Sequence, residues 1–199
     1  MIKRAALNEV ALVRLGHHFR TSVKTDPTGN VRVLQMKDVS PDGDVRWDGL
    51  TQVVELKDKT FVKKGDIVFA HRGSRNYSAL VDREVQNVLA SGNLFVIRIL
   101  DTGVMAEYLN WYLNQEPAQV FFEQHREGSY IPMLRGEWLK ALNVPIPSLE
   151  IQKQVVGLNK IRKSEKALEK LLSEKKDLLV QSVVYKKIGL NTGRHNGKK

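Results

Sequence analysis

The sequence predicts an α+β protein in which a globular domain of short strands and helices is followed by one long helix. Two observations support this prediction. Short apolar segments separated by turn residues fill residues 1–147, and from 148 to 188 proline is absent and the apolar spacing becomes helical. We therefore predict a domain over 1–147, a helix over 148–188 and a basic, disordered tail over 189–199.

The strands of the predicted domain are short and follow turn signals. Residues 31–36 alternate in side-chain character, as a half-buried strand does, and the turn segment Ser-Pro-Asp-Gly-Asp follows at 40–44. Because strands and helices alternate irregularly, we predict an α+β arrangement rather than a parallel sheet. The remaining strand candidates are residues 45–47, 53–56, 66–70 and 93–99.

Helical spacing of apolar residues appears over 104–124, interrupted at Pro117. The segment Val-Pro-Ile-Pro at 144–147 cannot be helical, and Ser148 after it is suited to cap a new helix. The helix that follows would be roughly 55–60 Å long at about 1.5 Å per residue.

The long helix carries a seam of residues spaced alternately by three and four positions, which is typical of a coiled coil. Five of its seven positions are apolar, and the other two carry opposite charges. The seam comprises Leu158, Ile161, Glu165, Leu168, Leu172, Lys175 and Leu179. A stripe of this length predicts a partner helix.

The two charged seam positions indicate the direction of pairing. In a parallel homodimer Glu165 would face Glu165 and Lys175 would face Lys175. In an antiparallel pair centred near Lys170, Glu165 faces Lys175 of the other chain and Leu168 faces Leu172. Like charges disfavour the parallel pair, so the sequence predicts an antiparallel homodimer.

Composition limits the possible functions. The net charge is +10, but residues 1–150 hold 19 basic and 18 acidic side chains, so the excess lies in the helix and the tail. With no cysteine, disulfides and cysteine-liganded metal sites are excluded. The sequence contains neither a signal peptide nor an apolar stretch of membrane-spanning length, and we expect a cytoplasmic protein.

Several segments, taken in order, resemble the DNA specificity subunit of Type I restriction–modification systems. The most specific is Leu142-Asn143-Val144-Pro145-Ile146-Pro147-Ser148-Leu149-Glu150-Ile151-Gln152, which leads directly into the long helix. The others are Gly16-His17-His18-Phe19-Arg20, residues 31–39, Lys64-Gly65-Asp66-Ile67-Val68-Phe69-Ala70-His71-Arg72-Gly73 with Asn76, residues 108–113, and Gly128-Ser129-Tyr130-Ile131-Pro132.

The resemblance implies a target-recognition domain followed by a conserved helix, without catalytic activity or a cofactor of its own. Family members typically carry two such domains and two helices that pair antiparallel, held by methyltransferase subunits and in some systems a restriction subunit. This chain has one copy of each part. The resemblance therefore implies a homodimer that reads two identical half-sites of double-stranded DNA, or a half-subunit that pairs with another.

Three loops carry residues suited to DNA contact. Arginine binds guanine with two hydrogen bonds, asparagine binds adenine, and lysine and hydroxyl groups bind phosphates. We expect contacts from Arg20 and Lys24 in the first loop, from Arg72, Arg75, Asn76 and Tyr77 in the second, and from Arg126, Ser129, Tyr130 and Arg135 in the third.

Two alternatives remain open from the residues. The first is an interaction module that keeps the helix pairing and does not read DNA. The second is a metal-dependent nuclease, because Pro41-Asp42 followed by Glu55-Leu56-Lys57 fits a pattern in which two carboxylates hold a divalent ion. Turn chemistry already accounts for Asp42, so the sequence favours DNA recognition without catalysis or bound metal.

Overall fold

The structure is a computed structural model that describes residues 2–19, 22–54, 61–73 and 75–189. It contains eleven strands and five α-helices within these residues, and the chain divides into two compact units, Met1–Val156 and Gly157–Lys199. The predicted class, a mixed α and β domain followed by a long helix, is confirmed. The predicted tail beyond residue 189 lies outside the described residues.

The elements follow one another in this order. They are β1 (Lys3–Ala6), α1 (Leu7–Val10), β2 (Ala11–Leu15), β3 (Val31–Leu34), a 3-10 helix (Met36–Asp38), β4 (Thr51–Val53), β5 (Ile67–Ala70), β6 (Ser78–Leu80), β7 (Val88–Ala90), β8 (Leu94–Ile99), α2 (Ala106–Leu113), α3 (Glu116–Gln124), β9 (Arg126–Glu127), β10 (Met133–Leu134), α4 (Gly136–Ala141), β11 (Asn143–Ile146) and α5 (Leu149–Lys187).

A four-stranded antiparallel sheet in the order β2-β8-β5-β6 forms the centre of the first unit. Strands β5 and β8 are apolar at successive positions and buried on both faces. Because side chains alternate along a strand, Phe69 and Ile97 enter one core cluster with α2 and α3, whereas Val68 and Val96 enter the other. The sheet therefore carries a core on each face.

A second sheet has the order β4-β3-β7, in which β3 pairs antiparallel with β4 and parallel with β7. The predicted strand over 45–47 is wrong, since this segment makes only the isolated bridge between Val39 and Val45. Asp38 is also buried near this segment, and its carboxylate accepts a hydrogen bond from the Gln35 backbone at 2.9 Å.

Pro117, which the sequence predicts to interrupt the helical segment over 104–124, lies in the first turn of α3, where proline fits a helix.

Helix α5 begins after Ser148, whose hydroxyl accepts a long hydrogen bond of 3.5 Å from the Ile151 backbone. Its first turns are fixed by Gln152, which is fully buried. The Gln152 amide accepts a hydrogen bond from the Met105 backbone at 2.8 Å and donates to the carbonyls of Gly103 and Pro147 at 2.7 and 2.9 Å. One glutamine thus joins the start of α5 to the start of α2.

The backbones of the first loop and the β7–β8 turn approach each other so closely that only glycine fits at position 16. A Cβ atom at Gly16 would lie 2.2 Å from the Ser91 carbonyl oxygen, whereas one at Gly157 in α5 would meet no atom within 4 Å. We expect Gly16→Ala to destabilise the chain by about 2 kcal/mol or more, because backbone atoms must move.

The control is Gly157→Ala, which should stabilise α5 by up to about 1 kcal/mol because alanine favours the helix. Thermal and urea unfolding of both variants measure the difference. Equal effects of the two substitutions would contradict the close approach at Gly16.

Candidate nucleic-acid interface

The turn Ser91–Gly92–Asn93 between β7 and β8 joins the first and second predicted loops. On one side, the Gly16 backbone donates to Leu94 at 2.8 Å and the His17 backbone donates to Ala90 at 2.7 Å. On the other side, the His71 ring lies 3.1 Å from the Gly92 carbonyl oxygen through Nε2. Two loops that are more than fifty residues apart in sequence therefore share one support.

The second and third loops pair directly. Arg72 forms a bridge with Met133, the Gly73 backbone donates to Pro132 at 2.8 Å, and Leu134 donates to the His71 carbonyl at 2.8 Å. Strand β10 also pairs antiparallel with β9, with Met133 opposite Glu127. Residues 71–73, 132–134 and 126–128 thus form three adjacent extended segments, which we call the ribbon.

The ribbon has an inner and an outer face, because directly opposite residues of antiparallel strands project to the same side. His71, Leu134 and Arg126 form one row, and all three side chains are largely buried. Arg72, Met133 and Glu127 form the next row, which faces outward, and Arg72 and Glu127 are exposed. The outer face therefore presents charged side chains on a backbone fixed by hydrogen bonds.

The charges of the ribbon are partly paired. Arg135 makes an ion pair of 2.6 Å with Glu127 and one of 3.7 Å with Glu137, and Arg126 pairs with Glu123 at 3.4 Å. By contrast, the side chains of Arg72 and Arg75 are exposed and make no ion pair with the residues that the structure describes. On and beside the ribbon, these two arginines are therefore available to an anionic partner without the loss of an ion pair.

The predicted DNA-contacting residues do not all reach the surface. The exposed ones are Lys24, Arg72, Arg75, Ser129, Tyr130 and Arg135, and Tyr77 is half-buried. Arg126 retains only 14% of its side-chain exposure. Arg20 lies outside the described residues.

Asn76 lies inside the domain rather than on the loop surface, with 1% of its area exposed. Its side-chain amide donates to the Ala70 carbonyl at 3.0 Å, and its backbone carbonyl accepts from the Gln119 side chain at 2.8 Å. In this conformation the amide stabilises the turn between β5 and β6 and does not face a ligand. The expectation that Asn76 reads adenine therefore has no geometric support.

A cleft lies beside the second loop, between Tyr77 and α3. It is lined by two arginines and two glutamates together with uncharged side chains: Arg75, Tyr77, Asn114, Glu116, Gln119, Val120, Glu123 and Arg126. Because its charges balance, the cleft as a whole has no net attraction for a phosphate. Its floor is fixed by a buried amide network, in which Asn114 donates to Ser78 at 3.0 Å and Asn110 donates to Gly43 at 2.8 Å.

The nuclease alternative gains nothing from the structure. Asp42 lies in a turn and donates its backbone N–H to the Ser40 hydroxyl at 3.2 Å, while Glu55 and Lys57 lie outside the described residues. Within the part of the chain that the structure describes, no three histidine or carboxylate side chains come together as a metal site.

No described helix is both long enough and apolar enough to cross a bilayer.

The seam of α5 is exposed. Its five apolar side chains, Leu158, Ile161, Leu168, Leu172 and Leu179, are each between 55% and 68% exposed. Glu165 and Lys175 are exposed as well. Large apolar side chains that are regularly spaced and exposed along a helix indicate a surface for another helix.

Comparison with known protein families shows to which family the chain belongs. The family described as Type I restriction modification DNA specificity domain matches residues 3–175. The chain belongs to this family. No curated protein sequence matches the chain significantly.

Solved structures share the fold of this specificity domain at 18% sequence identity. A chain from a study of complex assembly and conformational transition of the type I R-M system gives a TM-score of 0.63, covering 90% of this chain and 43% of that one. The S subunit from M. genitalium gives 0.56, with 96% and 46% covered. The HsdS subunit from Thermoanaerobacter tengcongensis gives 0.56, with 84% and 39% covered. The specificity domain thus spans less than half the length of each.

The buried ring of His71 makes the stability of the folded domain depend on pH. Burial lowers the pKa of His71, and the nearby Arg72 charge lowers it further, while the Gly92 carbonyl opposes both. Between the lowered pKa of folded His71 and about pH 6.5, the unfolded chain then binds more protons than the folded chain. Stability contributed by neutral His71 is present above that pH and is lost as the pH falls below it.

We expect the free energy of unfolding of the wild type to decrease between pH 7.5 and pH 5, and His71→Gln to decrease less steeply. Glutamine can keep the hydrogen bond to Gly92 but cannot be protonated. Urea unfolding at each pH measures both slopes. Identical slopes would show that other groups cause the pH dependence.

Proposed function

We propose that this chain is a sequence-specific DNA-recognition subunit of a Type I restriction–modification complex. Membership of the specificity-domain family supports the proposal most directly. The grouping of Arg72, Arg75 and Arg135 on and beside one ordered ribbon adds a local reason, since arginine reads guanine edges and binds phosphates. The chain itself performs no catalysis and positions methyltransferase subunits, and in some systems a restriction subunit, on a bipartite site.

Arginines that form an ion pair within the protein and arginines that do not are expected to play different roles in DNA binding. Arg72 and Arg75 reach DNA without breaking an ion pair, so they contribute to affinity and to its salt dependence. Arg135 is held by Glu127 at 2.6 Å and must exchange this carboxylate for a phosphate or a base. We therefore place Arg72 and Arg75 among the primary contacts, with Lys24, Ser129 and Arg135 around them.

This function is tested in two steps. The purified wild type first selects duplexes from a random library, and its affinity for the selected duplexes is then measured. Replacing Arg72 and Arg75 by glutamine should weaken binding and reduce the slope of log affinity against log salt by up to about 2, since each lost phosphate contact removes about 0.9. Fluorescence anisotropy over a range of salt concentrations measures the slope.

The matched control is Lys64→Gln/Arg83→Gln. It also removes two exposed charges, but these pair with Glu84 and Asp82 outside the ribbon. The control should retain the wild-type slope. If the wild type selects no sequence although its helices pair, the chain is an interaction module instead.

The subunit acts as an antiparallel homodimer through α5 in this proposal. Burying a large apolar side chain contributes about 1.5–3 kcal/mol, and the seam offers five on each helix. Association costs about 4–15 kcal/mol. Because the seam side chains are 55–68% exposed in the single chain, pairing recovers only about that fraction of the full burial energy, which is of the same order as the cost. The pairing of Glu165 with Lys175 selects the antiparallel direction and gives two half-sites related by a two-fold axis.

Charge exchange at these two positions tests the direction. Glu165→Lys should weaken the dimer by about 3- to 30-fold because both attractive pairs become repulsive. The double variant Glu165→Lys/Lys175→Glu should restore wild-type affinity. Light scattering over a range of protein concentrations measures the dissociation constant. A double variant as weak as the single one would exclude the antiparallel register, and a monomeric wild type would indicate a different partner helix.

A further inference from the structure

The tip of the ribbon, residues 128–132, exposes two neighbouring large apolar side chains. Tyr130 is 94% exposed and Ile131 is 55% exposed. In the described part of the first unit, no other two consecutive residues are both large, apolar and exposed. Single exposed apolar residues are ordinary on protein surfaces, whereas an adjacent pair on a projecting turn forms a small apolar patch that is suited to contact with a partner.

The tip is held at both ends. Gly128 has a φ of 95°, a conformation that glycine adopts readily, and this turns the chain after β9. Pro132 restricts the other end of the tip, and its carbonyl accepts the Gly73 backbone N–H at 2.8 Å. Arg126 also donates to the Gly73 carbonyl at 3.4 Å. The apolar pair therefore projects from ribbon residues whose backbone is already fixed by hydrogen bonds in the absence of a ligand.

Arginine side chains lie on both sides of the ribbon from which the tip projects. Arg72 is in the outer row of the ribbon, opposite Met133, and Arg135 crosses to Glu127 at 2.6 Å. Proteins that kink a duplex combine these parts, with apolar side chains that enter between two base pairs and flanking cations that hold the phosphates. Aromatic rings also stack on bases regardless of sequence.

We propose that Tyr130 and Ile131 form a wedge that enters between two stacked base pairs of the DNA half-site and unstacks them. This inference rests on the proposed DNA-recognition function and specifies how the third loop takes part in it. The deformation cost of the step depends on its sequence, so the wedge contributes specificity at a position that no polar side chain contacts.

The test uses duplexes selected by the wild type, each carrying a nick in one strand at a different step. A nick lowers the cost of unstacking, so the wild type should bind the duplex nicked at the wedge step about tenfold more tightly than the intact duplex. The double variant Tyr130→Ser/Ile131→Ser should bind nicked and intact duplexes equally. Because both side chains are exposed, it should unfold at the wild-type temperature.

The matched control is Leu12→Ser/Leu100→Ser, which removes two exposed apolar side chains outside the ribbon and should keep the nick preference. A wild type that selects a sequence but binds all nicked duplexes like the intact one overturns the wedge and leaves the proposed function standing. The same nick preference in the wild type and the serine variant also overturns the wedge. A wild type that selects no sequence refutes the proposed function, and the wedge with it.

Discussion

The arrangement of the loops depends on the backbone of the β7–β8 turn. Gly16 lies against the Ser91 carbonyl at a distance that leaves no room for a side chain, and His71 is within hydrogen-bonding distance of the Gly92 carbonyl. His71 also begins the segment that pairs with β10. A displacement of this turn would therefore move all three loops together, and any DNA contacts they make would change as a group.

The core of the domain could be predicted from the sequence, and the shorter elements could not. Strands β5 and β8 contain long apolar segments that are recognisable without neighbours. Strands β6, β7, β9 and β10 have two or three residues each, too few to show a period. They exist because longer strands or adjacent loops supply their hydrogen-bond partners.

The loops were identifiable from composition, but the direction of individual side chains was not. Arg72 faces outward and His71 faces inward because residues 71–73 pair with residues more than fifty positions later. No local pattern indicates that register. The same holds for Asn76, whose amide turns inward to Ala70, and for Gln152, whose three hydrogen bonds involve the start of α2 and Pro147.

The near neutrality of the domain gives a physical reason why pairing, as proposed above, would favour DNA binding. Residues 1–150 carry a net charge of only +1, and ion pairs within the ribbon already engage Arg126 and Arg135. The domain of a single copy therefore offers little net positive charge to the phosphates of one half-site, and its own electrostatic attraction to DNA is limited. Joining two copies through α5 makes the second half-site contact intramolecular, which raises overall affinity without any new contact. In the proposed dimer, helix pairing and sequence reading are thus energetically coupled, and loss of the seam weakens DNA binding even with every loop intact.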